Sequence, residues 1–245
     1  MLSPAADCSI CPRLAAFRKE QQAAFPDWFN APVPSFGPLT AKLLVVGLAP
    51  GLRGANRTGR PFTGDYAGDL LYQTLIQQGL ARGEYLASPD DGLELVDCRI
   101  TNAVRCLPPQ NKPVGQEINA CRPFLGEELR NLAELQVVVA LGRIAHDSVV
   151  RALEGRIAAF PFKHGAVHEI GGLFLADSYH CSRYNTQTGR LTPEMFGAVF
   201  SVAAGLRSGA RVRGRRGGSS GCPPAGKPPT ADLSEASWTT YCGST

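Results

Sequence analysis

AKLLVVGLAP, residues 41–50, is apolar at every position except Lys42 and ends in a stretch with glycine and proline. Such a run is typical of a strand buried on both faces of a parallel sheet. The amphipathic pattern of residues 65–83 follows and predicts a helix that stops at a glycine. The same strand-and-helix unit recurs at 94–104 with 114–135, at 135–142 with 143–155, and at 171–180 with 192–207. This alternation predicts an α/β fold, a three-layer sandwich in which helices cover both faces of a central, mostly parallel four-stranded sheet.

The loops beyond the carboxyl ends of the strands are where a ligand is expected in such a sheet. These loops are 47–66, 102–115, 142–146 and 178–190. The first is rich in glycine but contains neither GK[ST] nor GxGxxG, which argues against a nucleotide-triphosphate site. Its side chains include Arg57, Arg60, Phe62 and Asp65. Asp65 directly precedes a predicted helix, and taken alone it is favoured as an N-cap.

Polar residues also follow the second and the last predicted strands. Asn102 ends the second strand, where its amide would present a donor and an acceptor to a base edge, although asparagine is also a common turn residue. His180 follows the last strand, and a single histidine at such a place is more often structural than catalytic. The loop after it, SRYN at 182–185, suits phosphate contact and the filling of a gap in stacked bases.

Four cysteines fall into two pairs, Cys8 with Cys11 and Cys106 with Cys121. Cysteines at this count and spacing are typical of an iron–sulfur cluster or a structural zinc ion. Because the pairs are far apart in the chain, such a centre would tie the N-terminal arm to the middle of the fold. Disulfides would need an oxidising compartment and are the less favoured interpretation. Cys98 lies in an alternating apolar stretch and is expected to be a small buried side chain.

The formal net charge of +4 is unevenly distributed over the 245 residues. Residues 208–245 carry five Lys/Arg against two Asp/Glu and are rich in Gly, Pro and Ser, so they are predicted to be a disordered tail. The tail is either an electrostatic tether to nucleic acid or an extension without function. Residues 1–207 form the predicted folded domain and are nearly neutral, so charge alone does not indicate DNA binding. The absence of a long apolar run or a secretory signal favours a cytoplasmic protein.

Four segments, taken together, resemble one protein family: GLAPG at 47–51, NRTGRPFTGD at 56–65, TNAVRC at 101–106 and HCSRYNTQTGRLT at 180–192. They resemble the uracil-DNA glycosylase superfamily, and most closely family 5, the B-type enzymes with a 4Fe–4S cluster. The resemblance covers about residues 8–206. It implies that Cys8, Cys11, Cys106 and Cys121 are the cluster ligands and that the cluster is structural.

The resemblance also implies a role for each matching residue. Asp65 becomes the expected carboxylate that activates water or stabilises the sugar cation, because Leu48 stands where the related family 4 has a glutamate. His180 is expected to donate to a carbonyl oxygen of the leaving base, which a positive donor would stabilise. Asn102 is expected to bond the base edge, and Phe62 to stack on the extruded base. The other expected contacts are Gly47, Leu48, Ala49, Pro50 and Gly51 in the base pocket, and Arg57, Ser182, Arg183, Tyr184 and Asn185 at the DNA.

The function so implied is that of a monofunctional DNA glycosylase of base excision repair. It would flip uracil, and other deaminated bases such as hypoxanthine or xanthine, out of double-stranded DNA and hydrolyse the N-glycosidic bond. Arg183 and Tyr184 are the candidates for the wedge that fills the vacated space. We expect a monomer that acts at the nucleoid. Two alternatives remain open: a DNA-binding protein without activity and, less favoured, an electron-transfer protein.

Overall fold

The computed structural model describes residues 3–208. Its strands are β1 Leu43–Gly47, β2 Ala81–Arg82, β3 Glu94–Leu95, β4 Cys98–Asn102, β5 Val137–Leu141, β6 Val167–Ile170 and β7 Leu173–Ser178. Its α-helices are α1 Pro12–Ala24, α2 Ala55–Thr58, α3 Tyr66–Gln77, α4 Gly115–Asn131, α5 Arg143–Ala152, α6 Arg183–Gln187 and α7 Pro193–Ser208. The predicted tail lies outside the described residues from position 209 onward.

The main sheet has the order β4-β1-β5-β7-β6. The strands β4, β1, β5 and β7 are parallel and correspond to the four predicted strands. The predicted count of four is corrected to five, because β6 pairs antiparallel with β7 at the edge. The sequence pattern did not indicate β6, since an edge strand is only partly buried and lacks a continuous apolar run.

The three-layer arrangement follows from alternating side chains along the buried strands. In β1, Leu43 and Val45 contribute to the core that α3 and α7 cover, whereas Leu44 and Val46 contribute to the core that α4 and α5 cover. All four side chains have no exposed surface. The predicted α/β sandwich with helices on both faces is therefore confirmed.

Two local features differ from the pattern-based prediction. The predicted strand 94–104 is divided into β3 and β4 at Asp97, whose backbone is left-handed with φ 51°. The short strand β2 pairs with β3, so residues 81–95 form a small antiparallel excursion beside the main sheet. Helix α1 was not apparent from periodicity, because only Leu14 and Arg18 of this helix are buried.

The ends of the elements place the functional loops together. Gly47 at the end of β1 lies opposite Asn102 at the end of β4, and the sheet register pairs the end of β5 with Ser178 at the end of β7. Thr192 caps α7 as expected, since its hydroxyl accepts from the N–H of Met195 at 3.2 Å. Among residues 3–208, no helix has the length and apolar character needed to cross a lipid bilayer.

Candidate active site

One cavity of about 420 Å³ lies at the carboxyl ends of β1, β4 and β7. Ten of the predicted site residues line it: Leu48, Ala49, Pro50, Gly51, Phe62, Asp65, Asn102, His180, Ser182 and Arg183. Four predicted residues are outside its lining: Gly47, Arg57, Tyr184 and Asn185. The topology thus brings together segments that are separated by more than a hundred positions in the chain.

Asn102 and Phe62 both pack against the backbone of Gly47. A Cβ atom at position 47 would lie 2.5 Å from Phe62 Cζ and even closer to Asn102 Oδ1, so only glycine admits both side chains. Asn102 is 3% exposed, and its Oδ1 has no hydrogen-bond partner among the described residues. An unsatisfied buried polar group costs about 1–3 kcal/mol. This oxygen is therefore an acceptor that the N–H group of a bound ligand would satisfy.

Phe62 has a left-handed backbone, with φ 55°, which is unfavourable for a bulky residue. Two tyrosines, Tyr72, which is buried, and Tyr85, which is partly buried, hold the loop in this conformation. The Tyr72 hydroxyl donates to the carbonyl of Pro61 at 2.7 Å, and the Tyr85 hydroxyl donates to the carbonyl of Phe62 at 3.2 Å. The ring of Phe62 is thereby fixed at the cavity, where it lies 6.0 Å from the imidazole of His180, centroid to centroid.

The Arg60–Asp91 ion pair fixes the same loop from the other side. Arg60 Nη1 and Nη2 donate to the two carboxylate oxygens of Asp91, each at 2.7 Å, and Nε donates to Thr63 Oγ1 at 2.7 Å. The Asp91 side chain has no exposed surface, and its hydrogen bonds with Arg60 lower the pKa of the carboxyl to about 2. The guanidinium also lies 5.2–5.8 Å from the ring centroids of Phe36, Tyr72 and Tyr85. Asp91 belongs to the excursion between β2 and β3, and no sequence signal linked it to the site.

Asp65 is both the N-cap of α3 and part of the cavity wall. Its Oδ1 accepts from the N–H of Gly68 at 3.2 Å, so the capping role is observed directly. Its Oδ2 lies against Gly51 and Gly54, where a Cβ atom at either position would come within 3.0 Å of it. Burial raises the pKa of this carboxyl above its ordinary value. One oxygen thus anchors the side chain while the other faces the glycine-rich loop at the cavity.

His180 follows β7 and is partly buried at the cavity. Burial lowers the pKa of its imidazole to about 4, so the ring is neutral at pH 7. In this state the ring is a neutral N–H donor, and its expected contact with the leaving base stays a prediction. The Asn185 amide donates to the backbone carbonyl of His180 at 2.8 Å, which gives Asn185 a positioning contact inside the protein. Its predicted contact with DNA stays a prediction.

The loop after His180 presents different side chains to the interior and to solvent. Cys181 is fully buried, with its sulfur 3.5 Å from the carbonyl of Ala67, and burial raises its pKa. Ser182 caps α6 by accepting from the N–H of Asn185 at 3.4 Å. The Arg183 guanidinium lies 5.3 Å from the ring centroid of Tyr66. Tyr184, the other predicted wedge residue, is 70% exposed.

Four further residues, which the sequence did not indicate, also line the cavity: Ala55, Tyr66, Ala67 and Asn111. Asn111 has a left-handed backbone, with φ 56°, in the turn Pro109–Asn111. The sequence could have indicated Asn111, because it lies in the predicted loop 102–115 and asparagine tolerates a left-handed backbone in turns. Arg57 is exposed on α2 and approaches Gly64, outside the cavity.

The four predicted metal ligands converge at a second, small cavity. Cys8, Cys11, Cys106 and Cys121 all line it, together with apolar side chains of α1 and α4. Burial raises the pKa of Cys106 to about 12 and also raises that of Cys11 and Cys121. The backbone N–H of Arg105 points at Cys121 Sγ, 3.4 Å away. Ala49 packs against this group and also lines the larger cavity, so the two sites share a wall.

A second group of possible metal ligands lies elsewhere among the described residues. Its members, whose ligand atoms are within 4.8 Å of one another, are His146, His168 and Asp177. His146 Nδ1 is 2.7 Å from Asp177 Oδ1, and Nε2 is 2.8 Å from the carbonyl of Phe160. Both ring nitrogens face acceptors, which favours the protonated ring, and the hydrogen bond with Asp177 raises the pKa of His146 against the effect of burial. His146 and Asp177 are therefore a buried hydrogen-bonded pair, and Asp177 lies on β7, the strand that leads to His180.

The chain matches the family model of the Uracil DNA glycosylase superfamily over residues 34–203. The chain belongs to this superfamily. It is 49% identical to a type-5 uracil-DNA glycosylase of Thermus thermophilus over 207 residues, which cover 81% of this chain and 93% of that protein. It is 42% identical over 202 residues to the type-5 uracil-DNA glycosylase of Pyrobaculum aerophilum, covering 81% and 88% of the two chains. The Mycobacterium bovis type-5 protein is 41% identical over 208 residues, covering 81% and 78%. Within the superfamily, the chain belongs to the type-5 group, as the sequence resemblance predicted.

Proposed function

We propose that the protein excises uracil from double-stranded DNA by hydrolysing the N-glycosidic bond, as a monofunctional glycosylase of base excision repair. The family assignment makes it a DNA glycosylase, and the relatives named as uracil-DNA glycosylases support uracil as the base. The observation that carries the proposal is the unpartnered Oδ1 of Asn102 in a cavity that Phe62, Asp65 and His180 also line.

The proposed base pocket fits a flat ring with an imide group. Asn102 Oδ1 would accept from the N3–H group of uracil, a donor that cytosine lacks at that position. Phe62 would stack on the base, since its ring is fixed at the cavity by the surrounding hydrogen bonds. The backbone of Leu48, Ala49 and Gly51 would complete the wall. Because a paired base is out of reach, the nucleotide must leave the duplex before it can bind.

The proposed chemistry separates charge between Asp65 and His180. As the C1′–N1 bond breaks, its electron pair passes to the base, and the sugar becomes cationic. The ionised Asp65 would stabilise that cation and take a proton from the water that bonds to C1′. The neutral His180 would donate a hydrogen bond to the O2 carbonyl of the departing base anion. Leu48 has no group that polarises water, which leaves this task to Asp65.

The proposed DNA contacts lie around the mouth of the cavity. Tyr184, which is largely exposed, is the preferred wedge, and Arg183 is the second candidate. Arg57 and Ser182 would contact the phosphate backbone. Asn185 would also contact it, in addition to its hydrogen bond with the backbone carbonyl of His180. Hypoxanthine and xanthine are included as further substrates, because both present an imide-like N–H and carbonyl edge. With such a substrate the protein would act at the nucleoid of the cytoplasm, and we expect it to be a monomer.

We further propose that Cys8, Cys11, Cys106 and Cys121 hold a 4Fe–4S cluster. The donor set fits such a group: four cysteines surround one cavity, apolar side chains enclose them, and N–H groups point at two of the sulfurs. A zinc ion with Zn–S distances of about 2.3 Å would place its thiolates roughly 3.8 Å apart. No three of these described sulfurs lie within 4.8 Å of one another, which favours the larger cluster. The cluster would brace the segment from Cys106 to Cys121 against α1.

The test uses labelled duplexes that carry one uracil, hypoxanthine or xanthine, and the corresponding single strands. Wild type and Asp65→Asn are compared, with Asp69→Asn as the control on the same helix. Asparagine caps a helix about as well as aspartate, so Asp65→Asn should fold normally. The proposal predicts that wild type and Asp69→Asn produce alkali-labile sites at similar rates. Asp65→Asn should produce them about 10²–10⁴-fold more slowly. Tight duplex binding without any cleavage by wild type would favour the DNA-binding alternative instead.

A further inference from the structure

Arg18 differs from the other buried arginines of the described chain in what it pairs with. Residues 3–208 contain four arginines that are 8% exposed or less: Arg18, Arg60, Arg99 and Arg105. Arg60 pairs with Asp91, and both Arg99 and Arg105 pair with Glu128. No carboxylate of the described residues forms an ion pair with Arg18, that is, none lies within 4.0 Å.

Instead, Arg18 points from α1 into the cysteine site. Its Nη1 lies 3.6 Å from Cys106 Sγ, and its Nη2 donates to the backbone carbonyl of Cys8 at 2.8 Å. Arg18 is 6% exposed, so water provides little compensation for its charge. A buried cation without a counter-ion is strongly destabilising, and no carboxylate of the described residues supplies one here. Four metal-bound thiolates do, because their combined negative charge exceeds the charge of the metal core.

We propose that Arg18 is the counter-charge of the metal–thiolate centre and a positioning residue for Cys106. The inference rests on the proposed metal at the four cysteines, and it extends that proposal to a residue outside the ligand set. Its consequence is a reversal of sign. With the centre in place, Arg18 stabilises the protein and holds the metal. Without the centre, the same guanidinium is an unpaired buried charge that destabilises the fold.

The first test measures iron in the full-length protein purified without oxygen, and the rate at which an excess of chelator removes it. Wild type is compared with Arg18→Met, which keeps an unbranched side chain of similar reach, with Arg18→Lys, which keeps the charge, and with Lys19→Met. Lys19 is the exposed neighbour on the same helix and serves as the matched control. Iron loss from Arg18→Met should be at least about tenfold faster than from wild type. Arg18→Lys should fall between the two, and Lys19→Met should match wild type.

The second test examines the reversal in a background that lacks the centre, Cys8→Ala with Cys11→Ala. In that background Arg18→Met should raise the unfolding midpoint, whereas in the metal-containing protein it should lower it. A decrease in both backgrounds would mean that Arg18 acts only by packing and would overturn the proposal. Wild-type rates of iron loss from Arg18→Met would overturn it as well. If the wild-type protein contains neither iron nor zinc, the proposed metal centre is wrong. Because this is measured on the unmutated protein, it is distinct from a failure of the Arg18 proposal alone.

Discussion

Asp65 Oδ2 occupies the space in which any residue other than glycine at position 54 would place its Cβ atom. Gly51 bounds the same oxygen from a second side, and the N–H of Gly68 holds the other oxygen at 3.2 Å. The carboxylate is therefore held between the glycine-rich loop and the start of α3. A group so confined is oriented before any substrate arrives, which is the condition for electrostatic stabilisation of a transition state.

Gly54→Ala should displace the Asp65 carboxylate and lower the rate of uracil excision by about 10²-fold, the effect of misplacing a reacting group by about 1 Å. Gly115→Ala is the matched control, because a Cβ at position 115 contacts nothing within 4 Å. Single-turnover rates of both variants and of Gly54→Ala combined with Asp65→Asn give a double-mutant cycle. The double variant should be no slower than Asp65→Asn alone. Additive losses would show that Gly54 acts independently of Asp65.

Asn102→Leu should separate activity from stability. Leucine has a similar volume and removes the buried oxygen that lacks a partner, so the free energy of unfolding should stay constant or rise by up to about 1 kcal/mol. Excision of uracil should fall about 10- to 100-fold, the cost of losing a hydrogen-bonded base edge. Denaturant unfolding and single-turnover kinetics on one preparation measure the two effects. If the free energy of unfolding falls by as much as the activation free energy rises, Asn102 has a structural role.

The pH dependence should report Asp65 and not His180. Burial raises the pKa of Asp65, so its ionised form and the excision rate should both be lost as the pH falls through that raised value. Burial lowers the pKa of His180 to about 4, so its ring stays neutral between pH 5 and 8. The rate ratio of wild type to His180→Gln should accordingly be constant over this range, while Asp65→Asn should lose the acidic limb. A ratio that changes with a midpoint near 6.5 would contradict a neutral His180.

Asp91→Asn should destabilise the fold by about 3 kcal/mol, because it leaves the Arg60 guanidinium buried without a carboxylate. Asp90→Asn, at the exposed neighbouring position, should have little effect. The folded-state pKa of Asp91 is about 2, below its ordinary value of 3.8, so the stabilisation is present above about pH 4 and is lost as the pH falls towards 2. Urea unfolding at pH 7 and near pH 2.5 measures this. A difference between wild type and Asp91→Asn that does not shrink in acid would exclude the ion pair as its source.

Much of the fold follows from local patterns along the chain. The apolar run 41–50 predicts β1, which is buried at every position, and the recurring strand-and-helix unit predicts the parallel strands β4, β5 and β7. The carboxyl-end rule then predicts which loops form the cavity. The strand β6 and the helix α1 escape this reasoning, since each buries only a few side chains and carries a weak pattern.

Periodicity and chain direction are enough to predict the α/β architecture, the loops that converge and the residue types available there. The charge, hydrogen bonding and orientation of those residues, in contrast, are visible only in the folded structure. The neutral state of His180, the free oxygen of Asn102 and the pairing of Arg60 with Asp91 all depend on burial among segments distant in the chain. Desolvation and hydrogen bonding set the charge of a group, and both are properties of its neighbours in space.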